Sequence, residues 1–142
     1  MNRAELKQLT ADRVRDAEIL LANGQWTGAY HLAGYALECA LKSCLLKYLD
    51  DTGIIFKDRK YLEKLAKCWT HDLNELLTLA NLRIDFDRAC GANSNLDFQW
   101  SIAKDWNETS RYEQKTKQDA ALLLEAITNV PDGVLTWICS RW

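Results

Sequence analysis

Apolar residues along this chain recur at intervals of three and four, and no stretch alternates at two, which predicts helix nearly throughout and no strand. The first helix is expected from Arg3 to Leu21, with Leu6, Leu9, Ala17 and Leu20 on one face. It stops at Asn23-Gly24, where glycine accepts a left-handed backbone. The second is expected from Gln25 to Leu49, ending before Asp51-Thr52-Gly53, and a third from Asp58 to Cys68 carries Tyr61, Leu62 and Leu65 on an otherwise basic segment. Thr70 reads as the N-cap of a fourth helix, built on Leu73, Leu76, Leu77 and Ala80, that fades near Gly91 into the loop GANSN. A turn or short helix with Trp100, Ile102 and Trp106 follows. A long helix from Thr109 or Ser110 then uses Tyr112, Ala120, Leu123, Ala126 and Ile127 until Pro131 stops it. The tail GVLTWICSRW is a final short helix or an extended lid. With no repeat, linker or composition break, residues 1–142 read as one all-α domain, an antiparallel up-and-down bundle of four to six helices.

Composition narrows the chemistry. The 142 residues are 48% apolar, enough for a core that needs neither disulfide nor metal. With 18 basic against 20 acidic residues, the net charge of −2 excludes coating nucleic acid through bulk charge, since counterion release needs a basic surface. A modest basic patch, Lys57, Arg59, Lys60, Lys64 and Lys67 against Asp58 and Glu63, fits a solvated face or a phosphate-backbone contact. Cys39, Cys44, Cys68, Cys90 and Cys139 lack paired C-x-x-C spacing and sit in apolar helical patterns, so they read as small core residues in a reducing cytoplasm. The charged start lacks the apolar centre of a signal peptide, and no run approaches the ~18 apolar residues of a spanning helix, so no membrane association is expected. His31 and His71 stand far apart without acidic or thiolate ligands at matching spacing; no metal site and no cofactor are expected. The six tryptophans read mainly as core or interface residues.

The second helix holds most of the information. Ala29, Ala33, Ala36 and Ala40 line one side and allow a neighbouring helix close, so this helix is expected to be enclosed. On another side His31, Tyr35, Glu38 and Lys42 fall within about 60° of arc. A charged Glu38 buried alone would cost several kcal/mol, so it needs a cation or donor, and Lys42 is in reach. Arg13, which interrupts the apolar face of the first helix, is expected to reach Glu38 as well. Two uses fit the stripe: a buried ion-pair network that sets helix register, or one wall of a polar cleft. In the second, Arg111, Lys115 and Gln118 at i, i+4 and i+7 of the late helix supply phosphate-binding charge, and Tyr112 a stacking ring.

The segment GQWTGAYHLAGYALECALKSCL, followed by THDL, SRYEQ and GVLTWICSRW, resembles the HEPN family, the higher-eukaryote and prokaryote nucleotide-binding domains. AYHLAGYALECALK, residues 29–42, is the sharpest part of the match and contains the whole stripe. The resemblance implies a compact helical bundle, often a homodimer. It is often encoded beside a nucleotidyltransferase partner in a two-component or toxin–antitoxin module, and some members are ribonucleases. The ribonuclease branch depends on Arg-x(4–6)-His. Here neither His31 nor His71 has an arginine at that spacing, and Lys64, the nearest substitute, lacks the planar guanidinium fork. The implied function is therefore a non-catalytic nucleotide- or partner-binding protein using Arg13, His31, Tyr35, Glu38, Lys42, Arg111, Tyr112 and Lys115, with no catalytic residue assigned. The alternatives are a metal-independent endoribonuclease whose His71 or His31 meets a sequence-distant arginine, and a ligand-free scaffold.

Overall fold

The computed structural model describes residues 1–142 and is helical throughout, with no strand. Eight α-helices form in order: α1 (Arg3–Ala22), α2 (Trp26–Thr52), α3 (Arg59–Leu65), α4 (Leu73–Leu79), α5 (Arg83–Ala92), α6 (Ser94–Ala103), α7 (Lys117–Thr128) and α8 (Val134–Cys139). Asn2 and Glu5 cap α1 reciprocally, and its end passes through Gly24 at φ +77°, which folds α2 back along α1. Gly53, in the left-handed region at φ +59°, closes α2. No helix is long and apolar enough to cross a membrane.

α2 is the central element, with α1, α4, α7 and α8 packed against it. Ala29, Ala33, Ala36 and Ala40 are each buried to 1% exposure or less, as their spacing predicts. Leu37 and Leu41 join Leu73, Leu76, Leu77, Leu123, Ile127 and Ile138 in one core. Phe86 of α5 meets the rings of Trp100 and Trp137 edge to face, at 5.1 and 4.9 Å. Trp100 and Trp106 are buried, whereas Trp69 is 84% exposed. All five cysteines are free thiols, and burial pushes those of Cys39, Cys44, Cys90 and Cys139 up to about 11, too high for ready thiolate chemistry.

Several boundaries differ from expectation, each for a local reason. The N-cap of α4 is Asp72, whose carboxylate accepts the backbone N–H groups of Asn74 and Glu75. Thr70 instead accepts the N–H of Asp72 and braces the approach. The predicted fourth helix is two, because Asn81 takes a left-handed φ of 59° that breaks α4 from α5. GANSN is mostly helical, with only Asn93 extended between α5 and α6. The late helix starts at Lys117, since Thr116 and Asp119 form a capping box; Glu108–Tyr112 is a separate 3-10 turn. Arg111, Lys115 and Gln118 therefore do not share a helix face. The tail resolves as α8, with Val134 and Ile138 in the core.

Candidate functional site

The stripe of α2 meets two segments distant in sequence. Glu38 is 1% exposed, and its Oε1 accepts a hydrogen bond from Lys42 Nζ at 2.7 Å, one turn further along α2. Its two oxygens also lie 3.0 Å from Nδ1 of His71. The Thr70 and Asp72 caps hold the segment before α4 in place, and so position this imidazole. Because a carboxylate only accepts, a neutral His71 beside ionised Glu38 carries its proton on Nδ1 and leaves Nε2 as the free lone pair.

His31 stacks with Tyr35, rings 6.5 Å apart and 6° from parallel, and tilts against Trp106 at 5.9 Å. Its Nδ1 is 3.3 Å from the hydroxyl of buried Ser110. Burial first, and the nearby Arg111 guanidinium second, hold His31 below the ordinary imidazole range, while Glu38 pulls the other way. Trp106, 3% exposed, lies flat over Gly34 of α2, and its indole N–H is buried without an acceptor.

These groups enclose a cleft of ≈ 330 Å³ lined by His31, Leu32, Tyr35, Glu38, His71, Trp106, Glu108 and Arg111. Of the residues the sequence singled out, the fold brings His31, Tyr35, Glu38 and Arg111 together here. Lys42 faces instead an apolar groove of ≈ 400 Å³ between the start of α1, α2 and Trp69, for which Tyr35 and Glu38 form the shared wall. The expected Arg13–Glu38 contact is absent: Arg13 pairs with Asp16 at 3.2 Å on its own helix, and Glu38 is already met by two nearer donors. Tyr112 is 78% exposed and carries the Arg111 guanidinium over its ring at 4.8 Å. Lys115 turns away to Glu113, at 2.8 Å, and to the face of Tyr30.

Leu32, Trp106 and Glu108 complete the cleft without having been assigned to it from sequence, and His71 was named there only in the endoribonuclease alternative. Only for His71 was there a usable signal, since a buried glutamate needs more donors than one lysine supplies. The largest cleft, ≈ 470 Å³ between α3 and α4, has no aromatic or imidazole group in its lining, and of its cations only Lys64 is left without an ion pair. Lys67 pairs with Glu75 at 3.3 Å, and Arg83 bonds to Asn74 and Asp87. No group of three or more His, Cys, Asp and Glu side chains is arranged to hold a metal ion. No family model matches the chain, and neither a curated protein nor a solved structure gives a match.

Proposed function

We propose that this chain is a nucleotide-binding helical module of HEPN type that holds a phosphorylated ligand in the cleft between α2, His71 and Arg111. The observation that carries this reading is the position of Arg111, which forms no ion pair within the chain and stands beside His31 in a cleft walled by Tyr35 and Trp106. An unpaired guanidinium offers two parallel donors to a phosphate, and flanking aromatic faces suit a base or ribose. Binding without turnover, homodimer formation and a nucleotidyltransferase partner are the further parts of the proposal; they rest on the sequence resemblance. The test is thermal unfolding with nucleoside mono-, di- and triphosphates and with a co-expressed nucleotidyltransferase. A nucleotide at 100 times its Kd adds about 2.7 kcal/mol to the native state and raises Tm. Arg111→Ala is expected to remove that rise at the same concentration. A rise that survives the substitution places the ligand elsewhere.

One observation favours a second reading, metal-independent RNA cleavage: both histidines line the same cleft as Arg111, although the local Arg-x(4–6)-His pattern is missing. In that reaction one imidazole takes the 2′-hydroxyl proton as the oxygen attacks phosphorus. The other protonates the departing 5′-oxygen, leaving a 2′,3′-cyclic phosphate, while the guanidinium holds the phosphoryl oxygens. Cleavage of single-stranded RNA in excess EDTA, reduced about 100-fold or more by His71→Ala, is the expected result on this reading. Intact RNA after prolonged incubation with the unsubstituted protein overturns it.

A further inference from the structure

Tyr35 and Glu38 part the His31–Arg111 cleft from the apolar groove of ≈ 400 Å³, which has no place in the nucleotide reading. Eight of the ten residues lining that groove are apolar, and its volume falls within the ~300–1,000 Å³ of small-molecule sites. Leu6, Cys39 and Leu45 are nearly inaccessible and form its floor, whereas Met1 and Trp69 are exposed and stand at its rim. A protein interface of ordinary size takes about 20–30 residues a side. Ten residues, several already closed to solvent, suit a small molecule instead.

Charge narrows the class of occupant. Glu38 and Lys42 are the only charged side chains in the lining and neutralise each other at 2.7 Å, and His71 shares the same carboxylate. Arg13, whose charge reaches Cys39, is paired with Asp16, and the ammonium of Met1 belongs to an exposed residue and stays hydrated. An ionic ligand would therefore give up its water for no counter-charge. One donor is free to orient an occupant. The Tyr35 hydroxyl bonds within the chain only to the Cys39 thiol, a weak acceptor that a carbonyl oxygen can displace.

We propose that this groove binds an uncharged, largely apolar molecule carrying one hydrogen-bond acceptor, such as an aryl or alkyl ketone, with its body against Leu45, Leu46 and Trp69 and its oxygen on the Tyr35 hydroxyl. The site is separate from the nucleotide cleft and stands whether or not a nucleotide binds there.

The probes are acetophenone, benzoate, benzylammonium and toluene, which keep one ring and change its charge or its acceptor. Each is titrated into isotope-labelled protein, with backbone amide and indole shifts followed by NMR. Acetophenone is expected to saturate, shifting Cys39, Leu45, Leu46 and the Trp69 indole, with a Kd at least about tenfold below those of the two ions. Tyr35→Phe keeps the ring and should weaken acetophenone about 2- to 10-fold while leaving toluene within about twofold. Trp69→Ala, at an exposed position, should leave Tm unchanged and weaken both neutral probes about threefold or more. Leu46→Trp, which fills the groove from a half-buried position, should abolish saturation by both. An ion that binds as tightly as acetophenone overturns the uncharged class, and an acetophenone Kd unmoved by Tyr35→Phe overturns the acceptor requirement. Shifts that never saturate, or binding that survives both Trp69→Ala and Leu46→Trp unchanged, overturn the site. Thermal unfolding of each variant confirms that it is folded, and if Leu46→Trp is not, Trp69→Ala alone decides.

Discussion

Gly34→Ala is expected to lower stability by about 2 kcal/mol and to deform the cleft, although alanine is the better helix former. In the interior of α2 the exchange gains about 1 kcal/mol from backbone entropy. Against this, the added methyl group falls onto the Trp106 indole, deep inside van der Waals contact with Cδ1, Cδ2 and Cε2. The indole is 3% exposed and flat, so it has no free end to swing away. Overpacking of this kind costs about 3 kcal/mol, which outweighs the helix gain. Tm should fall by roughly 8 °C for a domain of this size. Because the Trp106 ring also lies against that of His31, the proposed nucleotide binding should weaken in parallel. A double-mutant cycle with Trp106→Leu separates steric clash from helix propensity. In that background Gly34→Ala should turn neutral or stabilising. A penalty of unchanged size would show that the indole is not what the methyl group meets.

Glu38→Gln is expected to cost about 2 kcal/mol, measured as a shift in the urea midpoint at constant m-value. The carboxylate is nearly inaccessible and serves two donors at once, so the neutral amide leaves Lys42 without its counter-charge and the His71 N–H with a weaker acceptor. The full penalty for breaking a buried pair is about 3–5 kcal/mol. Here it is reduced, because the Lys42 and His71 side chains are 24% and 45% exposed and can turn to water. Lys42→Ala should cost about 2 kcal/mol as well, since it leaves the nearly inaccessible carboxylate with the His71 N–H as donor and no cation. A change under 0.5 kcal/mol for Glu38→Gln would show that the three groups do not act as a charged network. The amide also presents Nδ1 of His71 with either a donor or an acceptor. Tautomer control is then lost, and ligand affinity should fall even where the fold survives.

Much of this could be read without coordinates. The alanine positions of α2 announced an enclosed helix, and His31, Tyr35 and Glu38 announced a polar wall on it, because both patterns repeat within a few turns of one helix. Where local cues compete, boundaries slipped. Thr70, Asp72, Ser110 and Thr116 are all plausible caps. The choice fell to Asp72 and Thr116, whose side chains reach free backbone N–H groups two or three residues on. Asn81 broke one expected helix into two through a left-handed conformation that asparagine tolerates but does not require.

The composition of the cleft belongs to another level. Arg13 was the reasonable partner for Glu38 on adjacent helices, yet a nearer aspartate on its own helix takes it. His71, 33 residues from Glu38, takes the place instead. Arg111 enters from a 3-10 turn rather than a helix face, carried there by the chain that seats Ser110 near His31. Helix formation, the enclosure of α2 and its polar stripe follow from periodicity, which depends on neighbours three and four residues away. Which distant side chain meets that stripe depends on how the helices pack and on angstrom-scale competition among partners, and linear spacing holds no record of either.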